Sequence, residues 1–230
     1  MTDPDAELAS ALDAFAALLA DVGGRRDQGS HEQVESARLL LGEALAADRA
    51  RTARLAGRVL RLLVLERCAT SQLVHPLIAA IGSRATLAAL LRSAGEGSWA
   101  HRANACSAAY WVAVRHEPVP FDALRELART DPGRAREQLA EAVGRARANV
   151  DPLTDLWPRL WLAAAVCFTA CDEPEVRRTV QTAFPLEHPR HLPQAGPLLA
   201  AARRIAEDDP RTWYRLLNGS TGYGAAVGGS

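Results

Sequence analysis

Cys167 and Cys171 stand four residues apart, hence on one face of a helix, and His188 and His191 follow in a Pro-rich stretch. Thiolate and imidazole are the ligands that tetrahedral zinc prefers, so this order defines a candidate metal set. The run Ala163-Ala164-Ala165-Val166-Cys167-Phe168 also reads as the buried part of a helix, and free core thiols with surface histidines are the competing reading. A second pattern is basic. Arg51, Arg54, Arg58 and Arg61 recur at steps of three and four along one helix, whose opposite face carries Leu55, Val59, Leu62 and Leu63. Such a stripe could bind a polyanion. Asp21, Glu32, Glu35, Glu43 and Asp48 precede it, so the alternative is a stripe that pairs internally or faces solvent.

The third pattern is aromatic. Trp157 and Trp161, four residues apart, together with Trp99, Trp111, Tyr110 and Trp213 hold most of the large rings. They are candidates to line a groove for a protein partner or an apolar ligand, against the alternative that they anchor the core. Residues 78–92 echo a helix-turn-helix, with Gly82 at the turn and Arg84 and Thr86 opening the second helix, one residue short of the usual turn. The formal net charge of +0 and the lack of a flanking basic cluster argue against nucleic-acid binding. No G-x-S-x-G elbow, Walker loop, dinucleotide glycine pattern or H-E-x-x-H helix occurs. His75, His101 and His116 fall within or at the ends of apolar helices, where structural histidines are the expectation. The sequence therefore nominates no catalytic residue, and zinc is the one cofactor it raises.

The elements that must position these residues are helical. Hydrophobic residues make up 48% of the 230 but aromatics only 5%, and the apolar positions are mostly Ala and Leu, which favour closely packed helices. All 27 basic residues are Arg, which together with abundant Ala and Gly fits the codon bias of a high-GC bacterial genome. Asp-Pro pairs beginning at Asp3, Asp131, Asp151 and Asp209 mark helix starts, because Asp caps free N–H groups and Pro suits the first helical position. Ser30 with Gln33 has capping-box spacing, and Ser83 and Ser98 follow glycines as further caps. The apolar period predicts helices at 4–21, 31–47, 49–68, 71–81, 84–93, 99–116, 121–129, 132–148, 152–171, 174–184, 195–207 and 210–217. Pro158 would restart the ninth of these near Trp157.

Short connections between such helices predict an all-α fold, with antiparallel helix pairs stacked as a short α-solenoid or packed as an irregular bundle. Residues 1–30 are expected to hold an N-terminal helix and a flexible joint, 31–218 a helical repeat domain, and 219–230 a disordered Gly/Ser-rich tail. The acidic start Met1-Thr2-Asp3-Pro4-Asp5 lacks the basic region of a secretory signal, and the apolar run from Leu160 to Cys171 is too short for a membrane span. A cytoplasmic location with reduced thiols is the expectation.

The stretch Asp172-Glu173-Pro174-Glu175-Val176-Arg177-Arg178-Thr179-Val180-Gln181-Thr182-Ala183-Phe184 resembles the turn and second-helix opening of a HEAT repeat. A looser copy runs from Leu87 through Gly95-Glu96-Gly97-Ser98 to Trp99, Arg102 and Cys106. The resemblance spans residues 71–184, with Pro118-Val119-Pro120 interrupting it and no even repeat period through the chain. It implies that Val176 enters the core, that Arg177 bridges to a neighbouring repeat, and that a helical face binds a partner. The functional expectation is a non-enzymatic interaction scaffold or adaptor that engages a protein partner in a groove near Trp99, Trp111, Trp157 and Trp161. A helical ligand sensor or transcriptional regulator and a cryptic metal-binding enzyme are the alternatives.

Overall fold

The computed structural model describes residues 3–22, 28–65, 71–113, 121–150, 153, 155–181, 183 and 195–217. The chain is all-α, with no strand among the described residues. Its first half holds α1 (Pro4–Val22), α2 (Gln28–Ala47), α3 (Arg49–Arg54), α4 (Ala56–Leu65), α5 (Ser71–Ile81), α6 (Ser83–Gly95) and α7 (Trp99–Ala113). There follow α8 (Phe121–Thr130), α9 (Pro132–Val150), α10 (Trp157–Ala170), α11 (Pro174–Val180), α12 (Ala195–Asp208) and α13 (Tyr214–Leu217). None of them is long and apolar enough to cross a membrane, among the described residues.

The Asp caps at Asp3 and Asp131 form as the sequence predicts, whereas Asp209 opens a turn over 210–213 and the helix expected over 210–217 begins only at Tyr214. Asp3 Oδ1 accepts from the Asp5 N–H at 3.0 Å, Asp131 Oδ1 from Arg134 at 3.0 Å and Asp209 Oδ1 from Thr212 at 3.3 Å. Asp151 and Pro152 lie outside the described residues, as do the tail expected at 219–230 and residues 23–27 of the joint expected over 22–30, whose residues 28–30 are helical. Pro158 sits in the first turn of α10, so that helix starts at Trp157. Three further expectations are corrected. The single helix expected over 49–68 is divided at Leu55, where the Arg58 N–H reaches back only three residues to the Leu55 carbonyl at 2.8 Å. The helix containing Ser30 already begins at Gln28, so Ser30 lies inside its first turn. Gly82, at φ 86, precedes α6 without a side-chain cap, and Ser83 is helical.

At the centre lies α7, which packs against α4, α5, α6, α10 and α11. Every residue from Ala103 to Ala109 is buried, and most are Ala, Ser or Cys, small enough to let several helices approach one axis. Burial on all sides is what a helix without a polar face requires. Leu8, Leu12 and Phe15 bring α1 into the same core as Phe168, Trp161 and Trp213. Where α2 crosses α5, a Cβ on Gly42 would lie 2.9 Å from the Gln72 carbonyl oxygen, so only glycine fits that approach. Two buried polar side chains close helix ends: Thr52 Oγ1 donates to the Leu45 carbonyl at 2.7 Å and Asn104 Nδ2 to the Val64 carbonyl at 2.9 Å. The α6–α7 pair fits a stack of hairpins, and the helices around α7 fit a bundle.

Candidate functional site

Where α1 and α4 lie side by side, their outer edges leave a groove of about 310 Å³. Its lining comes from these two helices: the buried Leu12 and Leu62 form the apolar floor, Ala16 and Leu65 its more open apolar edge, and Asp13, Arg58 and Arg61 supply charge. Helical spacing explains the set, because 58, 61, 62 and 65 share one face of α4 while 12, 13 and 16 adjoin on α1. Leu62 is part of the core, whereas Leu65 is 44% exposed. Arg58 Nη1 donates to both oxygens of Asp13, at 2.9 and 2.8 Å. Arg61 is exposed; its Nε donates to the Gly57 carbonyl at 3.3 Å, and it has no carboxylate partner among the described residues.

The rest of the arginine stripe is engaged. Arg54 holds Asp5 through two hydrogen bonds of 2.7 and 2.8 Å. The Arg54 guanidinium thereby keeps the Asp5 carboxyl below the ordinary carboxylate range, opposed in part by desolvation. Arg51 lies 3.3 Å from Asp5 and 3.4 Å from Asp48, whose side chain also caps α3. The stripe's partners are thus Asp48, as expected, together with Asp5 and Asp13, which sequence proximity did not single out because they lie on α1. The break at Leu55 also divides the stripe between two helices. Its capacity for an outside anion is therefore concentrated at Arg61.

The aromatic set is placed differently from a partner-lined groove. Trp157 and Trp161 are each 4% exposed and belong to the core. The reason is their helix: α10 packs against α6, α7, α11 and α12, which leaves its i, i+4 rings facing protein. Trp99 and Trp111 are half-buried against that core, with Arg102 stacked 4.8 Å over the Trp99 ring and Tyr110 edge-on to Trp111 at 5.7 Å. Trp157 and Trp161 are anchors of packing, whereas at the groove Leu65 is exposed and Ala16 half-buried.

Cys106, Cys167 and Cys171 are free and buried. Burial pushes the Cys167 thiol up to about 11, and its sulfur donates to the Trp99 carbonyl at 3.7 Å. Desolvation of this kind opposes the thiolate that zinc requires. Among the described residues no three His, Cys, Asp or Glu side chains are grouped to hold a metal. His188 and His191 lie outside the described residues, and so does Cys68. The helix-turn-helix candidates are also occupied. Arg84 makes two hydrogen bonds to Asp155, at 2.8 and 2.7 Å, and Thr86 is buried with its hydroxyl on the Gly82 carbonyl at 2.8 Å.

At the HEAT-like segment Val176 is buried, as the resemblance implies. Arg177 turns back on its own hairpin, donating to the Phe168 carbonyl at 2.9 Å and to Asp172 at 3.1 Å, so among the described residues its hydrogen bonds close the end of α10. Sequence reasoning missed Leu12, Asp13, Ala16 and Leu65 as site residues. For the three on α1 the available signal was that Asp5 and Asp13 are acidic residues of one apolar helix, while Leu65 continues the α4 face of Arg58 and Arg61. No family model, curated protein or solved structure matches this chain, so the geometry alone carries the functional argument.

Proposed function

We propose that this protein is a non-enzymatic interaction module whose α1–α4 groove receives an amphipathic, carboxylate-bearing helix of a protein partner. The observation that carries the reading is the pairing of apolar groove surface with an exposed guanidinium, Arg61, that holds no carboxylate among the described residues. A helix laid in a groove is anchored by apolar side chains at one-turn spacing, and a carboxylate one turn away meets the arginine in a charge-assisted hydrogen bond. The volume of about 310 Å³ suits one or two aliphatic side chains. A nucleic acid is a poorer fit, because its affinity comes from many phosphate contacts and most of this stripe is already paired.

Fluorescence anisotropy with a labelled helical peptide carrying paired leucines and a glutamate one turn on tests the proposal. Binding is expected to saturate, and to weaken about tenfold or more in Arg61→Glu, the loss of one charged hydrogen bond being about 1.5–3 kcal/mol. Leu65→Ser is expected to weaken it less. An unchanged affinity in both variants would place the peptide elsewhere and remove the reading.

A further inference from the structure

We infer that the helix seated in this groove is α2 of a second copy of the same chain, an inference that rests on the groove reading above. On α2 the side facing the fold is committed: Val34, Leu41 and Leu45 are core, and Gly42 lies against α5. The opposite side presents Leu39, 46% exposed, and Leu40, 68% exposed, the largest exposure among the exposed large hydrophobic residues described. One turn further on is Glu43, exposed and without an ion partner among the described residues. An adjacent pair of exposed leucines next to a carboxylate is the complement of the groove, where exposed Leu65 lies one turn beyond Arg61, above the buried Leu62.

The one-turn spacing, about 5.4 Å on any α-helix, is the same on both surfaces. With Leu39 and Leu40 on the apolar surface, Glu43 comes within reach of Arg61. The formal net charge of +0 sets up no general repulsion between copies. Each contact joins unlike surfaces, so two copies either satisfy both contacts reciprocally in a two-fold dimer or, where one groove and one α2 face stay free, continue into a ring or an open chain.

Sedimentation velocity over a concentration series reads this directly. The wild-type chain is expected to show a sedimentation coefficient that rises with concentration and falls back in high salt. Leu40→Glu and Arg61→Glu each change an exposed residue, keep the wild-type circular dichroism, and lose the association. An equimolar mixture of the two variants is then expected to form a dimer and nothing larger, since it retains one groove and one α2 face. A wild-type chain that stays monomeric to millimolar concentration while still binding the peptide would overturn the second copy as occupant and leave the groove reading standing. Absence of both behaviours removes the two together. Association that persists in either variant assigns it to another surface and overturns the inference.

Discussion

Along the α1–α4 edge and along α10, functional-looking side chains recur at the same helical spacing, yet the two regions end in opposite states. On α10 the pair Trp157 and Trp161 is buried, and Cys167 with it, because four other helices close around that element. The face of α4 that carries Arg58, Arg61 and Leu65 borders a groove lined by α1 and α4. Periodicity defines which residues share a face. The neighbours of that face decide whether it becomes core or surface, and neighbours are a property of the assembled fold.

The contrast is broken most forcefully by truncation on α10. Trp161→Ala or Phe168→Ala is expected to cost about 3–5 kcal/mol in urea unfolding, the range for large aromatic side chains removed from a core. Arg61→Glu, on the groove side, should shift the same transition by less than about 0.5 kcal/mol. If Trp161→Ala left stability unchanged, the distinction between core and surface drawn here would be wrong.

Smaller effects sharpen the picture at the contacts that hold the groove's helices in place. Asn104→Ala leaves the buried Val64 carbonyl at the end of α4 without its donor, an expected loss of about 1–3 kcal/mol. Gly42→Ala sets a methyl against the Gln72 backbone, which cannot swing aside; the better helix propensity of Ala offsets part of the strain, and a net loss of about 1 kcal/mol is expected. Both are read by thermal or urea unfolding.

The smallest effect concerns acid. Asp5 has a folded pKa held below its ordinary 3.8, chiefly by the hydrogen bond from Arg54. A depressed carboxylate pKa adds stability above the ordinary value, and that contribution fades as pH falls through the lowered one. Arg54→Gln is therefore expected to be slightly less stable than wild type at neutral pH, with the gap closing in solutions more acidic than 3.8. A gap that widened in acid would show the sign to be wrong. Arg54 is exposed and Asp5 partly so, and added salt should therefore also shrink the gap.

Much of the fold is legible in the residues. Asp3 and Asp131 announce their helices because a cap is a local hydrogen bond, and Pro158 marks the start of α10 because its ring forbids a preceding turn. The break at Leu55 has only a weak local sign, Gly57 two residues on, because the adjoining Arg54, Leu55 and Ala56 all favour helix. The site is less legible for the same reason. Arg51, Arg54, Arg58 and Arg61 are visible as a stripe, but their partners Asp5 and Asp13 are brought to them by packing of α1, more than forty residues away for each long-range pair. Arg177 shows the converse: its type and position are plain in the sequence, while its carbonyl partner at Phe168 depends on how the hairpin closes.

The central claim is that Arg61 and the apolar surface beside it form one binding site, and a charge-reversal cycle tests it most directly. Anisotropy titrations would combine wild-type protein and Arg61→Glu with two peptides, one bearing glutamate one turn after its leucine pair and one bearing lysine there. The account predicts that the glutamate peptide prefers wild type, that the lysine peptide prefers the variant, and that the reversed pair recovers most of the lost affinity. If the variant weakened both peptides equally, or neither, no contact between that carboxylate and Arg61 would exist and the groove would not be the site.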